Sequence, residues 1–381
     1  MLTFAAKIPI RIHPFFWILV LLIGWVNSQT VLGTALWGVV IIVSVLVHEY
    51  GHALTAMAFG QRASIDLVAF GGATQRQGNK LKLWQEFIVV LNGPIAGLLL
   101  FAIAYQVKTL FGAQIHNPIW RFLLEITISA NLFWTVLNLL PIHPLDGGRL
   151  LGIICEAVWG IKGIKIGLMI SILIAVLISL LLFVSSDLFL GSIFLMLAFE
   201  SYRTWQSYRP IRDQDRDIAL HGLLQQAETA IKVGQNGHAK ELLMQVRESA
   251  RAGIIYDSAT RYLAEILSRE GQVQEAYALL LPLKKRLNAD GLRPLHLLAY
   301  RCKEWKVGVE VGNLSYQVHP SYDTALLNAF CSGELGEAYA AVGWLRCALK
   351  DGLPNLNAVL MKSDFDPIRT SGPFQELILS N

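Results

Sequence analysis

The chain has 381 residues, 54% of them hydrophobic and 16% charged, with a mean hydropathy of +0.47. A soluble globular chain carries about 25% charged residues, so a wholly soluble protein is excluded. A net charge of +4, with no basic stripe interleaved with aromatics, argues against a nucleic-acid partner. The four cysteines (Cys155, Cys302, Cys331 and Cys347) form no Cys-x-x-Cys pair. They read as reduced thiols in a cytosol-facing region, not as a disulfide scaffold.

The apolar residues are concentrated between 14 and 205, and the sequence after Arg209 has ordinary polarity. The chain therefore divides into a membrane region (1–206), a polar linker (207–217) and a soluble region (218–381). A spanning helix needs roughly 20 mostly apolar residues. Five stretches approach this, at 14–28, 32–58, 84–110, 118–140 and 164–184, and 188–205 is a shorter sixth. The piece Leu150–Gly160 is too short to span and is expected to re-enter or lie at the interface. Lys7 and Arg11 precede the first stretch, as in a signal peptide, but no small-x-small site follows its apolar core. It reads as an anchor.

Basic residues set the orientation. With residues 1–13 in the cytoplasm, Lys7, Arg11, Arg62, Arg76, Lys80, Lys82, Arg149, Lys162, Lys165, Arg203, Arg209 and Arg212 all fall on that side. The opposite loops, 27–31, 111–118 and 184–187, contain no lysine or arginine. The expectation is a six-span helical bundle in the cell (plasma) membrane, with both flanking regions cytoplasmic.

The second span carries His48-Glu49-Tyr50-Gly51-His52, preceded by the apolar run 39–47. Two histidines four apart on a helix share one face, so both imidazoles can reach one tetrahedral zinc ion. Glu49 beside them is placed to take a proton from an activated water. Ionisable groups inside a span are costly and need a partner or a function. His-Glu-x-x-His also occurs by chance on soluble helices, but the apolar surroundings weigh against chance here.

Catalytic zinc usually keeps three protein ligands. The third candidate is Asp146, in Asn138-Leu-Leu-Pro-Ile-His-Pro-Leu-Asp-Gly-Gly-Arg149. Pro141 and Pro144 prevent a continuous helix, and Gly147-Gly148 permit a tight turn. An unwound segment would then return the carboxylate to the metal. His143 is a second-ranked rival, expected in the pocket wall.

Together, His48-Glu49-Tyr50-Gly51-His52 and Asn138…Leu145-Asp146-Gly147 resemble the site-2 protease family of intramembrane metalloproteases. The resemblance covers roughly 10–205 and includes Ile12-His13-Pro14, Phe70-Gly71-Gly72 and Asn92-Gly93-Pro94-Ile95-Ala96-Gly97. It implies one zinc ion per chain on His48, His52 and Asp146, with Glu49 as general base. The substrate class implied is a transmembrane segment of another protein.

Residues 65–75 read as a short β-hairpin at the cytoplasmic side, with Gly71-Gly72 at its turn. Its edge is a possible platform for an extended substrate; an ordinary interfacial loop is the plain alternative. Asn92 and Asn138 are candidate contacts to the substrate backbone or oxyanion, with interhelical hydrogen bonding as their alternative. Glu125 lies toward the far end of the fourth span and reads as structural.

After Ile218 the pattern is short amphipathic helices joined by glycine-containing turns. Gly237-His-Ala-Lys-Glu-Leu242 aligns with Gly271-Gln-Val-Gln-Glu-Ala276, a spacing of 34, the tetratricopeptide period. Further units centre on Trp305–Gly308 and Gly336–Ala341, the spacing wandering in the third. The region is expected to be a soluble helical repeat domain, tetratricopeptide-like, that binds a protein or peptide. His221, His238, His296 and His319 lack metal-ligand spacing. The whole chain reads as an all-α membrane protein, an intramembrane zinc metalloendopeptidase. The alternative is a non-catalytic membrane scaffold; a metal transporter fits less well because the polar ligands gather at one depth.

Overall fold

The computed structural model describes residues 2–4, 7–68 and 71–379, which divide into two compact units, Met1–Arg209 and Pro210–Asn381. In the first unit, helix α1 (Pro14–Ser28) begins with proline at its first position, where a missing N–H costs nothing. Helix α2 (Val31–Ala58) is capped by Thr30, whose hydroxyl accepts from Gly33 N at 3.1 Å. Helix α3 (Leu83–Phe111) and α4 (Pro118–Leu139) follow, the latter capped by Asn117, which accepts from Ile119 N at 2.9 Å. Helices α5 (Asp146–Val184) and α6 (Leu188–Tyr208) complete the unit.

Among the described residues, α2, α3, α4 and α5 are long and apolar enough to cross a bilayer. Helix α1, with 15 residues, reaches only about 22 Å at 1.5 Å per residue, and α6 ends in the polar run 201–208. Leu99, Ile103, Leu173 and Leu181 are among many large apolar side chains exposed on the outside of the bundle. Such surfaces are stable only with lipid as the solvent, and the protein is an integral membrane protein.

Helix α5 is broken at Gly160, whose φ of 59° and ψ of −140° are non-helical. The half from Asp146 is too short to span, whereas the half after Gly160 has spanning length. The segment Leu150–Gly160 thus belongs to the short helix that begins at Asp146. The halves come close at the break: a Cβ on Gly163 would stand 1.9 Å from the Cys155 carbonyl oxygen.

The expected hairpin is part of a larger sheet. Strands β1 (Leu2–Phe4), β2 (Ile10–Ile12), β3 (Arg62–Val68) and β4 (Gly71–Gln77) pair in that order. The pairing of β2 with β3 is parallel, and that of β3 with β4 is antiparallel. The Ile12-His13-Pro14 lead-in therefore joins the sheet directly to α1. Gly71 and Gly72 are not the turn but the first residues of β4, opposite Val68 and Leu67. Phe70, with residue 69 between the strands, lies outside the described residues. Arg76 donates to Glu86 at 2.8 Å, tying β4 to the first turn of α3.

The second unit is a run of helical hairpins: α7 (Ile218–Lys232) with α8 (Asn236–Ala250), α9 (Ile254–Arg269) with α10 (Val273–Leu280), α11 (Ala289–Arg301) with α12 (Trp305–Val318), and α13 (Tyr322–Glu334) with α14 (Ala338–Lys350). Successive hairpins begin 36, 35 and 33 residues apart. Each turns through one residue of positive φ: Gly234, Gly271, Lys303 and Gly336. Gly234, not Gly237, is the equivalent of Gly271; Gly237 lies inside α8. Buried alanines, among them Ala227, Ala239, Ala264, Ala276 and Ala329, line the seams. Phe365, fully buried, packs between Phe330 and Phe374 in tilted contacts at centroid distances of 5.5 and 5.2 Å.

Candidate metal centre

His48 and His52 lie one turn apart in α2, with 4% and 6% of their surface exposed. His48 is about 15 Å from the helix end at Ala58. Two glycines let α3 approach this face. A Cβ on Gly51 would stand 2.2 Å from the Asn92 carbonyl oxygen, and one on Gly93 would stand 2.2 Å from His52 Cε1 and Nε2. His52 Nδ1 lies 2.8 Å from the Val89 carbonyl oxygen, which makes Nδ1 the protonated nitrogen and leaves the Nε2 lone pair facing inward.

Helix α4 stops at Leu139, and Pro141 and Pro144, the latter after a cis peptide, carry a non-helical link to Asp146, the first residue of α5. Gly147 and Gly148 do not form the turn that was expected of them. They are in the first turn of α5, where a Cβ would meet the Leu139 carbonyl oxygen at 2.2 Å and the His143 amide at 2.3 Å. Their smallness lets the link fold tightly over the helix start.

Asp146 Oδ2 lies 2.9 Å from His48 Nε2 and 3.3 Å from His52 Nε2, and the two Nε2 atoms are 3.2 Å apart. All three residues are buried. Ligand atoms set tetrahedrally at zinc–nitrogen and zinc–oxygen distances of about 2.0–2.2 Å lie about 3.3 Å from one another. The spacing fits that cation. So does the chemistry: lone pairs of a carboxylate and a neutral imidazole converging on one point repel unless a cation lies between them.

Glu49 is buried at 4% exposure, and its Oε2 accepts from Thr74 Oγ1 at 2.6 Å. Gly72 packs on the same carboxylate, since a Cβ there would stand 2.3 Å from Glu49 Cγ. Strand β4 thus lies against the expected general base. Gly71, at φ 129°, packs on Trp134 of α4.

The other candidates fall elsewhere. His143 is not among the converging residues; its carbonyl accepts from Ser201 Oγ at 2.7 Å, bracing the link against α6. Asn92 Nδ2 donates to Thr55 Oγ1 at 2.7 Å, an interhelical bond. Asn138, in the last turn of α4, is half-buried. Glu125 pairs with Lys108 at 3.4 Å. In the second unit His221, His238 and His319 are exposed and His296 is buried. Thr74, Val89 and Gly93 escaped sequence reasoning. Thr74 and Gly93 lay inside segments already singled out, but only packing distinguishes them from their neighbours.

The residues of this centre fall in a region that matches known proteins. The sequence profile of Peptidase family M50 matches residues 37–119 and 106–182. A Synechocystis protein provisionally named a zinc metalloprotease is 38% identical over 122 residues, 32% of this chain and 30% of that protein. The stage IV sporulation protein FB of Bacillus subtilis is 34% identical over 150 residues, 38% of this chain and 46% of that one. A zinc metalloprotease of Methanocaldococcus jannaschii is 29% identical over 162 residues, 42% of this chain and 46% of that one. The matches thus span less than half the length of each of these relatives. Residues 37–182 carry the pattern of Peptidase family M50, the site-2 proteases. Two of these three relatives are named as zinc metalloproteases.

Proposed function

We propose that this chain is an intramembrane zinc endopeptidase that hydrolyses peptide bonds within or near transmembrane segments of other membrane proteins, as in regulated intramembrane proteolysis. The observation that carries the reading is the convergence of His48, His52 and Asp146 within 2.9–3.3 Å, with the Glu49 carboxylate buried on the same helix. Zinc held by these three residues supplies Lewis acidity, bringing the pKa of water to about 7 and polarising a carbonyl oxygen.

Glu49 does the proton work. Thr74 occupies Oε2, which leaves Oε1 to accept a proton from the attacking water and deliver it to the leaving amine nitrogen. Because Glu49 is nearly excluded from solvent, its proton is kept for that transfer.

A helical substrate must unwind before its carbonyls are free. Strand β4 is the terminal strand of the sheet order, so a substrate segment could add to its open edge by backbone pairing. Gly72 would bring such a segment past Glu49. Asn138 remains a candidate contact to the substrate backbone, and Asn92, its Nδ2 given to Thr55, would offer only its side-chain oxygen. The full topology is read as six spans, α1 and α6 included, with residues 1–13 and the region after Arg209 in the cytoplasm and the protein in the plasma membrane. The lysine and arginine distribution supports this. The second unit is read as a tetratricopeptide-like domain that recruits a protein or peptide partner.

A membrane scaffold acting through the repeats would have no use for an intact ligand set with a buried carboxylate beside it. The test compares membrane-protein fragments in cells expressing the wild type or Glu49→Gln at matched levels. Fragments cut within a span and present only with the wild type are expected. Identical profiles, with zinc content equal, would favour the scaffold.

A further inference from the structure

The two histidines of the centre are held differently. His52 has the Val89 carbonyl for its outer nitrogen, whereas His48 Nδ1 is buried and has no hydrogen-bond partner. A histidine that ligates a metal through Nε2 almost always donates its Nδ1–H to an oxygen, which fixes its tautomer and ring orientation. His48 needs such an acceptor.

Thr135 Oγ1 is also buried without a partner. Its place in the fold brings it to His48. Helices α2 and α4 are joined through α3, which runs back between them, so the two run in the same direction. They are tied by Asn131 Nδ2, which donates to Ser44 Oγ at 2.9 Å. One turn further along each helix, the next residues are His48 and Thr135. Between them α3 contributes Gly97, where a Cβ would stand 3.0 Å from Thr135 Oγ1 and 4.0 Å from His48 Nδ1. Both polar atoms therefore lie against this glycine, at most 7.0 Å from each other.

We infer that Thr135 is the outer partner of His48, its hydroxyl holding one buried water beside Gly97 that accepts the His48 Nδ1–H hydrogen bond. A buried water needs at least two polar partners, and a hydroxyl can both donate and accept. His48 donates to the water, and the water donates to Thr135 Oγ1. The imidazole is thereby locked with its Nε2 lone pair toward Asp146 Oδ2 and His52 Nε2. Thr135 touches neither substrate nor metal and is a positioning residue. The inference rests on the zinc-site reading.

The test is zinc affinity of the full-length protein in detergent, measured by competition with a chromophoric chelator. Thr135→Val keeps the shape and removes the hydroxyl, and should weaken zinc binding by about tenfold or more. Thr135→Ser should stay near wild type. Gly97→Ala should weaken binding as Thr135→Val does, because its methyl crowds the Thr135 hydroxyl and takes the place of the water. Cobalt in place of zinc gives a second readout, its visible spectrum shifting in Thr135→Val but not in Thr135→Ser. Wild-type affinity in Thr135→Val overturns the inference, and so does an equal loss in Thr135→Val and Thr135→Ser. If Thr135→Val fails to fold, Gly97→Ala decides, and wild-type affinity there overturns the water relay. A wild type that binds no zinc would instead overturn the metal site itself.

Discussion

His52 fits beneath α3 because Gly93 has no side chain. A single methyl there would stand 2.2 Å from the imidazole ring, closer than any real contact. We therefore predict that Gly93→Ala displaces His52 and weakens zinc binding by about tenfold or more, as losses around a metal site commonly do. Zinc retained after dialysis against a chelator is the measurement. Retention equal to wild type would show that the ring has room to move. This residue also marks what the sequence can express. His48, Glu49, His52 and Asp146 were legible because their types and spacing carry the chemistry. Gly93, Thr74 and Val89 act through space, from positions 25 to 41 residues away in the chain. Asn92 drew attention as the polar member of Asn92-Gly93-Pro94, yet its amide is spent on Thr55, and its glycine neighbour is the one that meets the histidine.

Each helical hairpin of the second unit turns on one residue in the left-handed conformation. Glycine takes this role at 234, 271 and 336, and Lys303 takes it at φ 60°. A side chain there costs about 1 kcal/mol. Lys303→Gly should therefore stabilise the unit by up to about 1 kcal/mol, less the extra chain entropy of glycine. Denaturant unfolding of the full chain in detergent, followed through the second unit, should show a higher midpoint; a lower midpoint would contradict the strain. The same lysine explains why the repeat faded in its third unit when read from sequence. The glycine that announces the other turns is missing, and Gly237 offered a false register against Gly271. The break in α5 was signalled more clearly. Leu150–Gly160 stood out as too short to span, although the sequence alone did not show that a single glycine separates it from the next span.

Over the whole molecule, two units answer to two solvents, and they should respond differently to acid. His296 in α11 is buried in the second unit, and burial lowers its pKa to about 4, with the Asn328 side chain pulling the other way. The folded form keeps this imidazole neutral, whereas the unfolded chain protonates it near 6.5. Its contribution is fully present above pH 6.5 and is lost as the pH falls from there to about 4. The loss is about 3 kcal/mol at 1.36 kcal/mol per unit. Hydrogen exchange in α11 and α13 should accelerate across that window, and His296→Leu should flatten the dependence. A wild-type profile unchanged between pH 7 and 4 would contradict the buried neutral state.

The membrane unit carries the central claim, that Glu49 beside a zinc held by His48, His52 and Asp146 cuts peptide bonds in lipid. Its most direct test uses the purified full-length chain, reconstituted in liposomes with a single-span model substrate containing a helix-destabilising glycine-proline step. The wild type and Glu49→Gln are compared at one zinc per chain. The wild type should cleave within the span, and Glu49→Gln should lose about 10³-fold or more, within the range that removing a general base costs. Cleavage by Glu49→Gln at the wild-type rate, with zinc content unchanged, would contradict the claim.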